Sequence, residues 1–86
     1  MINHTLLQKL DSMDSRESFV DFIQLLRDDW KNNPESWENH ALDRYLDAIA
    51  AWVSDMEGYY LNRGEPMPTN IDWRTFGQIL LAAKYY

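Results

Sequence analysis

The stretch HALDRYLDAIAAWVSDMEGYYLN, residues 40–62, decides the fold. Its apolar residues recur three and four positions apart, which is the period of an α-helix and not the alternation of a strand. They fall into two adjacent sectors. One holds Leu42, Leu46, Ile49, Val53, Met56 and Tyr60; the other holds Ala41, Tyr45, Ala48, Trp52 and Tyr59. Together the sectors cover roughly 160° of the circumference, wider than one partner helix needs. The spacing predicts a central helix over 40–62, packed against two neighbours. Asn39 is its expected N-cap, and Asp43 suits the positive end of the helix dipole. Gly58 inside the run costs roughly 1 kcal/mol against alanine. Gly64, followed by Pro66, is the expected residue just beyond the helix end.

Toward the N-terminus, residues 16–32 read as a second helix. Phe19, Phe22, Ile23, Leu26 and Trp30 share one face, while Asp21, Gln24 and Asp28 lie opposite. Asp14 or Ser15 can cap its start, and Asn32-Asn33-Pro34 ends it. A shorter stripe of Ile2, Leu6, Leu7, Leu10 and Met13 predicts a first helix over 3–11. Toward the C-terminus, Glu65-Pro66-Met67-Pro68-Thr69-Asn70 is a stiff connection. A last helix is expected over 71–85, capped by Asn70 or Asp72, with Trp73, Phe76, Gly77, Leu80 and Ala83 buried. Leu81, Tyr85 and Tyr86 lie off that face. The small Gly77 and Ala83 are expected to let this helix approach the third closely. The fold class is therefore all-α: four helices, the first short, in a compact bundle or orthogonal array with an aromatic-rich core, as one domain spanning 1–86.

Composition narrows the function. The 86 residues carry 14 acidic and 8 basic side chains, a net charge of -6, and no cysteine. That removes disulfide scaffolds, thiolate metal sites and cysteine nucleophiles. Nucleic acid is not an expected partner, because phosphate neutralisation needs a surplus of Lys and Arg. No apolar run reaches the roughly 20 residues that span a bilayer. The first residues lack a basic segment followed by an apolar one. A cytoplasmic protein without a membrane partner is the expectation.

Few residues point to chemistry. His40, Asp43 and Asp47 lie on one side of the third helix at a spacing that metals use, but a capping turn with a solvated acidic face accounts for them. His4 has no partner nearby in sequence. Asp55 and Glu57 are two apart and do not face each other on a helix, which argues against an acid–base pair. With Tyr59 and Arg63 they form a polar cluster, and Asp55 is expected to bond another helix or the 64–70 segment. No catalytic residue, cofactor or metal is expected.

The aromatic surplus is the more informative feature. Trp30, Trp52 and Trp73 are expected to fill the core. Trp37, in a connection, and the pair Tyr59-Tyr60, straddling two faces, are expected to be partly exposed. With Asp55 and Gly58 beside the tyrosines, these residues are the candidate interaction surface. Gly58 fits a close approach, simple tolerance or a kink equally well.

Several words are distinctive: Asn-Pro-Glu-Ser-Trp-Glu-Asn (33–39), Leu-Asp-Ala-Ile-Ala-Ala-Trp-Val (46–53), Asp55-x-x-Gly58-Tyr59-Tyr60, Gly64-Glu65-Pro66, Trp73 and Leu80-Leu81-Ala82-Ala83-Lys84-Tyr85. Over residues 19–86 the chain resembles a family of small bacterial proteins classed as a domain of unknown function. The resemblance implies a stand-alone bacterial helical protein with no established activity, and it brings no catalytic residues. By analogy, small acidic proteins of this kind include immunity proteins of polymorphic toxin systems.

Two functions from different classes remain. One is a non-enzymatic protein-interaction module, an inhibitor or immunity-type partner of a more basic protein; a homodimer also fits the wide two-sector helix. The alternative is a small-molecule-binding or sensing domain with an aromatic pocket between the second, third and fourth helices.

Overall fold

The computed structural model describes residues 4–86, with the backbone alone for His4. The expected helix start at residue 3, Ile2 and the His4 side chain lie outside the described residues. Four α-helices follow one another: α1 (His4–Asp11), α2 (Arg16–Asn32), α3 (Leu42–Asn62) and α4 (Trp73–Tyr85). A 3₁₀ turn, Pro34–Ser36, interrupts the connection between α2 and α3. No strand occurs among the described residues.

Three helix ends have a local cause in their neighbours along the chain. Ser15 opens α2 by accepting from the Ser18 backbone N–H, while the Ser18 hydroxyl accepts from the Ser15 N–H. These bonds satisfy donors that the helix leaves without an internal partner. Asp72 opens α4 by accepting from the Thr75 N–H at 2.7 Å and from its hydroxyl at 2.6 Å. Gly64 follows α3 with φ of 69°, the left-handed conformation that glycine adopts without steric cost. The start of α3 differs from expectation. Ala41, not Asn39, is its N-cap and provides no side-chain bond. The Asn39 amide is used elsewhere: it donates to the Ala83 carbonyl at 3.1 Å, tying the connection to α4.

The central helix is α4 and not α3. Among the described residues, α4 packs against all three other helices, whereas α3 packs against α4 alone. The reason lies in the run Ile79-Leu80-Leu81-Ala82-Ala83, which is apolar around the whole circumference and so can be covered on several sides. Of the two α3 sectors, the one with Ala48 and Trp52, joined by Met56, turns to α4 and packs on Ile79. The other sector is left open: Leu42 and Leu46 are 73% and 55% exposed.

The face of α4 is corrected accordingly. Leu81, expected outside, is buried with Leu6, Leu10, Met13, Phe22 and Leu26 of the α1–α2 side. Trp73 and Phe76, expected inside, are 38% and 47% exposed. Gly77 is buried as expected, but it faces α1 and not α3. A methyl group at its position would lie 2.9 Å from Leu10 Cδ1 and from Met13 Cε. Burial of the tryptophans is likewise exchanged. Trp52 is buried, but Trp30 and Trp73 are not, and Trp37, expected to be partly exposed, is only 7% exposed.

Candidate functional site

The burial of Trp37 has a polar cause. Asp29 sits on the inner face of α2 because it follows Phe22 and Leu26 at the same helical spacing. Its Oδ2 accepts from the Trp37 indole N–H and from the Lys84 ammonium, both at 2.8 Å. Lys84 is fully buried near the end of α4. Its Nζ also lies 5.6 Å from the Trp37 ring centre and 5.0 Å from that of Tyr85. The cation is thus held between a carboxylate and two π faces, which offsets its removal from water. The Lys84 carbonyl accepts from the Glu38 N–H at 3.0 Å. This latch closes the 33–39 segment over the junction of α2 and α4.

Beside the latch lies a cavity of about 420 Å³. Its walls come from α2 (Ile23, Leu26, Trp30), the connection (Trp37, His40) and the start of α3 (Leu42, Tyr45), with Leu80 of α4 behind. The polar atoms of the lining Trp30, Trp37 and Tyr45 rings are engaged inside the protein. Trp30 donates to the His40 carbonyl at 2.8 Å, Trp37 to Asp29, and the Tyr45 hydroxyl to the Leu80 carbonyl at 2.7 Å. Burial pushes the Tyr45 hydroxyl up to about 12, so it stays a donor. The cavity therefore presents ring faces and methyl groups. It is suited to an apolar or aromatic group, with Arg27, Asn39 and His40 also on its wall.

The cavity is one end of a longer apolar trough. Three stripes border it at helical spacing: Phe19, Ile23 and Trp30 on α2; Trp73, Phe76 and Leu80 on α4; Leu42, Leu46, Ile49 and Val53 on α3. The far end is continuous, since Phe19 stacks 5.1 Å from Trp73 and 6.2 Å from Phe76. In a closed four-helix bundle these stripes would be core. Here α2 and α3 flank α4 without meeting, and most of these side chains face water.

The structure does not gather the predicted surface residues into one site. Trp37 is buried beside the latch and packs on Tyr45 at 5.5 Å. Tyr59 and Tyr60 are half-buried at the other end of α3, edge to face at 5.1 Å, with the Arg63 guanidinium over the Tyr59 ring. Asp55 is exposed and accepts from the Tyr86 hydroxyl, the expected bond to another element. That bond raises the Tyr86 pKa. Gly58 is exposed, and a methyl group added there would meet nothing within 4 Å, so no neighbour approaches it closely. His40, Asp43 and Asp47 also separate. His40 precedes α3 and lines the cavity, Asp43 accepts from the Arg44 N–H, and Asp47 borders a depression beside Tyr86. Among the described residues no three His, Asp or Glu side chains converge as a metal site.

Asp29 and Lys84 were missed by sequence reasoning. The signal for Asp29 was an acid at the i+3 position from Leu26 on an apolar stripe. The signal for Lys84 was a lone cation in the run LLAAKYY.

A model of a family of unknown function, DUF7660, matches residues 15–86. The chain belongs to DUF7660. The match begins at Ser15, the cap of α2, and includes the latch, the cavity and all three stripes of the trough; α1 lies outside it. Searches of curated proteins and of solved structures found no match. Among the described residues no helix is long and apolar enough to cross a membrane.

Proposed function

We propose that this DUF7660 protein is a non-enzymatic protein-docking module whose trough receives an amphipathic helix, with an apolar side chain anchored in the cavity. The observation that carries this reading is the set of three apolar stripes that α2, α3 and α4 leave uncovered. Helix-in-groove recognition uses such a surface, with anchors three and four residues apart. Exposed Trp30, Trp73 and Phe76 supply the aromatic area that dominates binding energy at interfaces. The net charge of -6 favours approach of a more basic partner. An inhibitor or immunity-type role is one biological form of this reading.

Affinity capture from the native host tests it, with wild type, Leu46→Glu in the trough and Ser54→Glu outside it. A protein retained by wild type and Ser54→Glu and lost by Leu46→Glu supports docking. Retention by all three counts against it, as does a chain that captures neither another protein nor a second copy of itself. A second reading, a small apolar or aromatic ligand, is favoured by the cavity of about 420 Å³ between α2, α3 and α4. An aromatic ligand panel that leaves tryptophan emission and the melting temperature unchanged removes that alternative.

A further inference from the structure

We infer that the occupant of the trough is a second copy of this chain, in a two-fold dimer that packs trough to trough. The inference rests on the docking reading of the trough but puts a second copy in place of a basic helical partner, so the charge match lies in the rims and not in the net charge of -6.

Area is the first argument. A folded monomer of 10.3 kDa exposes about 5,350 Å². This chain exposes 5954 Å², an excess of roughly 600 Å² over that expectation. Its radius of gyration, 12.8 Å, also exceeds the roughly 12 Å of a compact chain of this length. The excess approaches the roughly 800 Å² that each partner contributes to a stable interface. The exposed apolar side chains of the trough are part of that surface.

Charge is the second. The rim of the trough on α2 is basic: Arg16, Arg27 and Lys31 follow Phe19, Ile23 and Trp30 around the helix, and all three are exposed. The rim on α3 is acidic, with exposed Asp43 and Glu57 flanking the Leu46–Val53 stripe. The ends are matched. Trp30 bonds the His40 carbonyl, which places Lys31 and Arg27 at the Asp43 end. Phe19 stacks on Trp73 at the start of α4, which places Arg16 at the Glu57 end, because α4 runs back along α3. A two-fold axis along the trough sets α2 of each copy over α3 of the other. Basic rim then meets acidic rim twice, and like ends meet. The alternative axis, across the trough, sets like charge on like charge. The exposed ion pairs that Arg16 and Arg27 make with Glu17 and Asp28 are weak and leave these side chains free to exchange partners.

Sedimentation equilibrium of the full chain over a wide concentration range tests the inference. The expected mass rises toward twice 10.3 kDa with concentration. Leu46→Glu should weaken association by about tenfold or more with its helical circular dichroism intact, since Leu46 is outside the folded core. Ala51→Gln, exposed on the side of α3 turned away from both rims, should associate as wild type does. Lys31→Glu and Asp43→Lys should each weaken the dimer several-fold, and the double variant should recover it. Monomer mass throughout overturns the inference, as does a dimer untouched by Leu46→Glu or a double variant that fails to recover. A monomer whose trough variants lose a different protein removes the dimer but leaves the docking reading intact. A trough that binds neither itself nor another protein removes both.

Discussion

Lys84, buried at the end of α4, is held by one carboxylate and two rings. Replacing it alone removes the counter-charge of the buried Asp29 carboxylate, which keeps the Trp37 N–H. Lys84→Met is expected to cost about 3–5 kcal/mol in denaturant unfolding. The pair Asp29→Asn with Lys84→Met should cost clearly less than the sum of the single variants. It buries no charge and leaves an amide oxygen to accept from Trp37. Tyr45 gives a test by pH. Its hydroxyl, a donor to Leu80, has its pKa raised by burial to about 12 in the folded state, above the unfolded value near 10. Its contribution is complete below about pH 10 and is lost as pH rises toward 12. Tyr45→Phe should flatten the fall of stability across that window, relative to wild type, in urea titrations at stepped pH. Asp72 acts in the opposite range. Its bonds to Thr75 hold the carboxyl below the usual aspartate value, so the benefit disappears as pH falls through the acid range. Asp72→Asn should lose that acid dependence. How much of this was legible differs by residue. Asp72 and Gly64 could be read because a cap or a left-handed turn depends on neighbours in sequence. Asp29 and Lys84, 55 positions apart, are explained only by each other.

At the scale of elements, the two helical glycines have different meanings. At Gly58 nothing stands within 4 Å of an added methyl group, so Gly58→Ala should stabilise α3 by up to about 1 kcal/mol. At Gly77 the added methyl would meet Leu10 and Met13 at 2.9 Å. Both contacts are the ends of flexible side chains. The overpacking cost of about 1–3 kcal/mol is therefore partly offset by the better helix propensity. Gly77→Ala should destabilise by about 1 kcal/mol and loosen α1, read as faster amide exchange in α1 than in α3. α1 is short, but it contributes Leu6 and Leu10 to the core around Phe22 and Leu81. The helices themselves were legible from periodicity. Which side of α4 would be inside was not, because a run apolar all round has no preferred face until its neighbours choose one.

At the scale of the molecule, the tryptophans report the state of the trough. Trp37 and Trp52 are buried within the chain, whereas Trp30 and Trp73 border the trough and are 44% and 38% exposed. A closed dimer covers the latter pair. Acrylamide quenching should therefore be weak in concentrated samples and rise on dilution, and Leu46→Glu should show the high value at every concentration. The amino-acid sequence by itself determined the all-α class, the approximate extent of each helix, the turn at Gly64 and family membership over residues 15–86, and it narrowed two caps to Asp14 or Ser15 and to Asn70 or Asp72. These depend on composition, periodicity and neighbours along the chain. Only the tertiary structure decided that α4 is central, that Trp37 is buried while Trp30 and Trp73 are bare, and that one sector of α3 is left open. An amphipathic stripe records that a face seeks apolar contact; what covers it depends on where three helices meet, and in this chain part of that surface stays exposed.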